Sequence, residues 1–189
     1  RRHFMVASGH TLTLKWLILH GGNRGDGGSI YVGQFGNILH VTSCVFLLNT
    51  AIKGGGVYSN GGSVQLYHSN ITGNTAEYGG GVFNWGGSTV VQDSIIADNR
   101  AGVNGGGIWQ HKGTLTITRS VIKDNRQMFS GGAAWDGGGG VYIYFNAMVS
   151  IRESEFVQNH AEGSNNGHQI FAFKVDAQGD APAVTVVNT

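Results

Sequence analysis

Apolar residues recur in short alternating bursts along the chain: Leu39 and Val41, Val64 and Leu66, Leu115 and Ile117, Val149 and Ile151, with Thr89 and Val91 as one more pair. Period-two alternation over a few residues predicts half-buried strands, and bursts this short, bounded by glycine and asparagine, are too brief for ordinary helices. Three residues after each pair stands a small side chain, at Cys44, Ser69, Ser94, Ser120 and Ser154. The odd spacing reverses parity, so the chain must bend there and start a second strand whose inward residues are Phe46, Ile71, Ile96, Ile122 and Phe156. Three residues further on comes an asparagine each time, at Asn49, Asn74, Asn99, Asn125 and Asn159, in steps of 25, 25, 26 and 34 residues.

A second signal keeps the same period. Glycine triplets at 54–56, 79–81, 105–107 and 138–140 lead into Val57, Val82, Ile108 and Val141, which mark a third strand. Three short strands per repeat cannot each bury a face alone, whereas stacking equivalent coils about 4.8 Å apart builds one continuous core. The expected fold is therefore all-β: a right-handed parallel β-helix of about six coils of about 25 residues, forming a single domain over residues 1–189. The long step before Asn159 places an insert at 126–137, with an imperfect second glycine run at 131–134. In the first coil Leu12, Leu14, Leu17 and Leu19 take the inward places but Asn23 falls one residue late, and at the other end Val184 and Val186 restart the pattern. Open solenoid ends need covering units, so the expectation is an uncapped piece of a longer chain, adjoining further coils or another chain.

The paired signals, Gly-Gly-Gly followed by Val or Ile and Phe or Ile three residues before Asn, resemble the repeats of chlamydial polymorphic membrane proteins. More loosely, they resemble pectin-lyase-like right-handed β-helix proteins. The resemblance spans about Leu12 to Phe173 and implies coil geometry; the wider group includes adhesins, filament proteins, polysaccharide lyases and hydrolases, so it does not fix an activity.

Composition narrows the classes. The chain has 33 glycines and one proline, 40% hydrophobic and 12% charged residues, enough apolar content for a packed core. A net charge of +1 offers no basic stripe for nucleic acid. No apolar run is long enough for a membrane-spanning helix, and Cys44, the only cysteine, excludes an intrachain disulfide and reads as a small core residue.

Few recurring residues are left for chemistry. The asparagines read as a structural ladder that satisfies main-chain groups at one bend. Tyr31, Tyr58, Phe83, Trp109 and Tyr142 each follow an inward residue of the glycine-led strand; alternation turns them outward, and five aromatics in phase predict an exposed stripe able to stack on sugars or bury against a partner. Ser43, His68, Asp93, Arg119 and Glu153 form another column, in which Asp93, Arg119 and Glu153 alternate in sign and support the register. Asp98 and Asp124 share a phase in adjacent coils, but Arg100 and Lys123 beside them read as a solvated charged edge rather than a two-carboxylate site. The threonine pair Thr116 and Thr118 is not repeated in every coil, as an ice-binding face would require. Asn70-Ile71-Thr72 is an acceptor sequence for N-glycosylation with Asn70 expected to face outward. No metal-ligand spacing or phosphate loop is present, so neither metal nor cofactor is expected. The leading expectation is a non-catalytic extracellular or cell-surface scaffold that contacts protein chains or glycans through the aromatic stripe. The alternative is a carbohydrate-binding or polysaccharide-degrading module, with ice binding a minor third.

Overall fold

The computed structural model describes residues 1–7, 9–128, 137–162, 168–173 and 183–187. Every ladder between strands is parallel, and the described strands form four sheets that run the length of the stack. The inward slots read from the sequence hold: Leu39, Val41, Phe46, Val57, Val64, Leu66, Val82, Ile96, Ile108 and Ile122 all belong to one buried core that continues from coil to coil. The glycine-led strands, such as Val57–Ser59 and Val82–Asn84, form one seven-stranded sheet. The longer strands, such as Ser63–Tyr67 and Ser88–Gln92, form a second, and the strands leading to each asparagine, such as Asn70–Thr72, form a third with six members.

The fourth sheet corrects the expectation of three strands per coil. Thr75–Tyr78, Arg100–Asn104, Arg126–Gln127 and His160–Ala161 pair side by side just after the ladder asparagines. Its inward residues Ala76, Ala101, Gln127 and Ala161 are buried, and each stands two residues after an asparagine. A single inward side chain per strand, alanine in three and glutamine in the fourth, leaves no apolar alternation to read, which is why pattern alone passed over it. Arg126 and Gln127 therefore belong to the coil itself rather than to the insert; residues 129–136, including the imperfect glycine run, lie outside the described residues.

The triplets are glycine for two separate reasons. The first member takes a left-handed backbone, with φ of +62° at Gly54, +61° at Gly79 and +65° at Gly105, which glycine adopts without a Cβ penalty. The second has no room for a side chain: a Cβ on Gly80 would sit 2.4 Å from the carbonyl oxygen of Gly106 in the next coil. The bends before and after the third sheet use left-handed residues that are not all glycine, among them Ser43, His68, Asp93, Arg119 and Glu153 at one bend and Leu48, Asp98 and Asp124 at the other. Such strain is tolerated where surrounding contacts over-determine it, and at both bends side-chain ladders supply them.

At the first bend each main-chain N–H donates to the hydroxyl one coil on: Cys44 to Ser69 at 3.1 Å, Ser69 to Ser94 at 3.0 Å, Ser94 to Ser120 at 3.1 Å and Ser120 to Ser154 at 3.1 Å. Cys44 is buried and its thiol points back to the Thr42 carbonyl at 3.3 Å. At the second bend the asparagines form a denser ladder. Asn74 Oδ1 accepts from the main-chain N–H of Asn49 at 3.0 Å and from its Nδ2 at 2.8 Å, while Asn74 Nδ2 donates back to the Phe46 carbonyl at 3.1 Å and forward to Asn99 Oδ1 at 3.0 Å. The pattern repeats through Asn99 and Asn125, and Asn125 Nδ2 reaches Asn159 Oδ1 at 2.9 Å although 34 residues separate them. In the first coil Gly22, not Asn23, takes this place and donates its N–H to Asn49 Oδ1 at 2.7 Å.

Candidate functional site

The aromatic column occurs as expected, but not as an exposed stripe. Tyr31, Tyr58, Phe83, Trp109 and Tyr142 lie in register along the glycine-led sheet and turn away from the main core. Yet Tyr58, Phe83, Trp109 and Tyr142 are only 5, 0, 8 and 1% exposed, and they form a second core with Tyr31 and Phe171 packed against it. Alternation tells which side of a strand a residue faces, not what covers that side. Successive rings cover one another, with centroids 5.4 Å apart for Tyr31 and Tyr58, 5.2 Å for Tyr58 and Phe83 and 3.9 Å for Phe83 and Trp109. Tyr78 of the unforeseen fourth sheet and Trp85 in the turn after Phe83 add to the cover.

That cover changes along the stack. The wall is a column of paired residues running from Asp26 to Lys53 to Tyr78 and, in the next coils, through Asn104 to Gly137. In the early coils it and the N-terminal strand place cations on the rings: the Arg2 guanidinium lies 4.9 Å from the Tyr31 ring centre and the Lys53 ammonium 5.8 Å from that of Tyr58. Burial, with the charge of Asp26 second, pushes the Tyr58 phenol up to about 12. Tyr78 then replaces the lysine, its ring 5.7 Å from Trp109. Beyond it the wall shortens to Asn104, whose Oδ1 accepts from the Gly137 N–H at 2.9 Å, while the floor remains aromatic.

Where the wall shortens, a cleft of about 340 Å³ opens. Tyr78 and Asn104 line one side, Trp109 and Tyr142 the floor, and Trp85 and Tyr144 the other side, with His111 among them. Trp85, His111 and Tyr144 each stand two residues after a column residue, a regularity that sequence reading could have caught. The exposed Trp85 ring stacks on the His111 imidazole, centroids 4.0 Å apart and planes 9° from parallel. Burial, with help from the Lys112 charge, lowers the His111 pKa to about 4, against the opposing effect of a hydrogen bond to the main chain of Trp85. Trp109 Nε1 and His111 Nδ1 are buried without a hydrogen-bond partner. No described lining residue is an acid.

The other candidates stay apart from this cleft. Asn70 is exposed at the start of its strand. Asp98 and Asp124 sit on left-handed turns at the coil surface. Asp93 and Arg119 pair side by side, with Nε to Oδ1 at 2.7 Å and a terminal guanidinium nitrogen to Oδ2 at 3.0 Å. The Arg119 hydrogen bonds, then that of Gln92, lower the Asp93 carboxyl to about 2. Among the described residues no group of three or more His, Cys, Asp or Glu side chains could hold a metal ion, and no helix is long and apolar enough to cross a membrane.

Neither the curated proteins nor the solved structures contain a match to this chain. The model of the right-handed β-helix region matches residues 6–176, nearly the whole stack of ladders and glycine bends, and the chain belongs to that family.

Proposed function

We propose that the chain is a non-catalytic extracellular scaffold, a rigid surface or filament element that meets partner proteins or glycans at the aromatic cleft. The observation that carries this reading is the cleft itself. Recurring residues elsewhere along the stack are consumed by ladders and bends, whereas here the wall shortens to Asn104 and a cleft lies beside the exposed ring of Trp85. Exposed aromatic surface of this kind is a common contact element because rigid rings bury much area at low entropic cost. The absence of an acid from the described lining weighs against hydrolysis or lyase chemistry at this place. An exposed Asn70 in an acceptor sequence accords with a secreted setting.

The test combines two readouts on neutral and anionic polysaccharides and on immobilised extracellular-matrix proteins. The wild type should be retained on at least one support while releasing neither new reducing ends nor unsaturated products, and Trp85→Ala with Tyr144→Ala should abolish retention without changing the thermal midpoint by more than a few degrees. Release of products would overturn the non-catalytic reading, and undiminished retention of the double variant would remove the cleft as the contact site.

A further inference from the structure

A glycine that follows an asparagine leaves its main-chain nitrogen unobstructed by a Cβ and within one ring closure of the side-chain amide carbon. Whether that nitrogen can attack depends on whether it and the amide are already held in hydrogen bonds, because those bonds must open first. The described residues contain two such steps, Asn60-Gly61 and Asn104-Gly105, and one acidic analogue, Asp26-Gly27. Asp136 and Asn166, which also precede glycine, lie outside the described residues.

Asn104 is held on every side. It is 5% exposed, and its Oδ1 accepts from the Gly137 N–H at 2.9 Å. The Gly105 N–H donates to the Gly137 carbonyl at 3.2 Å, and the Asn104 carbonyl accepts from the Gly79 N–H at 3.0 Å. The Gly27 N–H is likewise taken by the Lys53 carbonyl at 2.8 Å.

Asn60-Gly61 differs. It lies in the connection between the strands Val57–Ser59 and Ser63–Tyr67, where Asn60 is half-buried. Neither the Asn60 amide nor the Gly61 N–H has a hydrogen-bond partner among the described residues. Gly61 takes a φ of +102°, and its cover includes the Phe35 ring, 3.4 Å from where a Cβ would stand and itself on a side chain 79% exposed. The bonds that fix the turn flank the reactive pair and leave it free. Asn60 donates its N–H to the Val32 carbonyl at 2.8 Å, Ser59 Oγ donates to the Gly62 carbonyl at 2.9 Å, and the Ser63 N–H donates to the Asn37 carbonyl at 2.9 Å.

We propose that Asn60-Gly61 is a spontaneous modification site, at which Asn60 deamidates through a cyclic imide while Asn104 is protected by its bonds to Gly137. The Gly61 nitrogen attacks Asn60 Cγ: the N–Cγ bond forms, the Cγ–Nδ2 bond breaks, and ammonia leaves with the proton of the Gly61 N–H. Water then adds to one of the two imide carbonyls and opens the ring, returning a proton to the nitrogen. Opening at Cγ leaves an ordinary aspartyl linkage; opening at the main-chain carbon leaves an isoaspartyl linkage, with one more carbon in the main chain. Either product puts a carboxylate one coil before Trp85, since Asn60 stands after Tyr58 as Trp85 stands after Phe83. The isoaspartyl product also lengthens a short connection pinned to Val32 at one end and Asn37 at the other, and so works against the register of the strands it joins.

The experiment ages the folded chain at mildly alkaline pH, beside the same chain in urea, and reads each site by peptide mapping with mass spectrometry and an isoaspartate-specific methylation assay. In the folded chain the Asn60 peptide should exchange amide for acid about tenfold or more faster than the Asn104 peptide, and in urea the two should react at comparable rates. An Asn60 that survives in the folded chain under conditions that convert it in urea overturns the proposal, as does equal conversion of Asn104 in the folded chain. The aged wild type should lose a few degrees of thermal midpoint, whereas Asn60→Gln, aged alongside, should keep its starting value. An equal fall in Asn60→Gln overturns the assignment of that loss to this turn.

Discussion

The asparagine bend and the aromatic column run the same length of the stack, one residue per coil, yet they differ in how completely their atoms are matched. At the bend, Asn74 and Asn99 use both amide nitrogens' protons and the oxygen on neighbours one coil away. Along the column the residue type holds, but its cover passes from Lys53 to Tyr78 to Asn104, and Trp109 Nε1 and, beside it, His111 Nδ1 end without partners. Complete matching leaves no valence for a ligand. In a solenoid, where geometry is copied from coil to coil, function is to be sought where a column keeps its floor and loses its cover.

The comparison breaks most severely at its saturated side. Asn99→Ala would leave the main-chain N–H of Asn74 without its acceptor, at about 1–3 kcal/mol, and would take one partner each from Asn74 Nδ2 and the Ile71 carbonyl, at about 0.5–1.5 kcal/mol apiece, inside the stack. A loss of about 4 kcal/mol in urea denaturation is expected, with cleft substitutions far below it. Gly80→Ala, forcing a Cβ against the Gly106 carbonyl, should cost about 3 kcal/mol or more by the same measurement, whereas alanine at Gly25, with only the Ile52 side chain at 3.9 Å, should be nearly neutral.

The column side titrates. Because the folded His111 pKa is lowered to about 4 from 6.5, the unfolded chain binds the extra proton first, and stability present at neutral pH is lost progressively as pH falls from about 6.5 through 4. The loss should amount to about 3 kcal/mol at most, and His111→Phe should remove it from the pH dependence of the urea midpoint. Asp93 has the smallest effect. Its contribution is present above the ordinary carboxylate range and fades as pH falls through about 2; Arg119→Gln should raise the carboxyl pKa, read by NMR titration, with little change in the midpoint because the pair is solvent-exposed.

How much of this could be read from the residues follows from the same contrast. The inward slots, the glycine bends and the asparagine positions announce themselves because each demands a residue type: an apolar side chain against the core, no Cβ against Gly106, an amide at Asn99. The left-handed backbone at Asp93, Arg119 and Glu153 accepts many types, so their charges were legible and their conformation was not. The fourth sheet shows one small residue per strand, Ala76 or Ala101, too sparse for a period. Tyr58 and Trp109 were assigned the correct side of their strand, but what buries them comes from Lys53, Tyr78 and the turn at Trp85, neighbours in space rather than in phase. Trp85 and His111 were passed over because the earlier coils carry Gly33 and Asn60 at that place, so the regularity starts only at Trp85.

The unchanged ladder geometry between Asn125 and Asn159 has a consequence for coil length. A coil extended to 34 residues closes on the same amide contact, 2.9 Å, as a coil of 26, so the stack senses where a coil begins and ends and is indifferent to the path between. Seven of the eight added residues lie between Gln127 and Gly137, the residue at which pairing with Asn104 resumes. A coil of this kind can therefore take up added chain without a change in the ladder contact that closes it, which makes coil length a variable separate from the register of the stack.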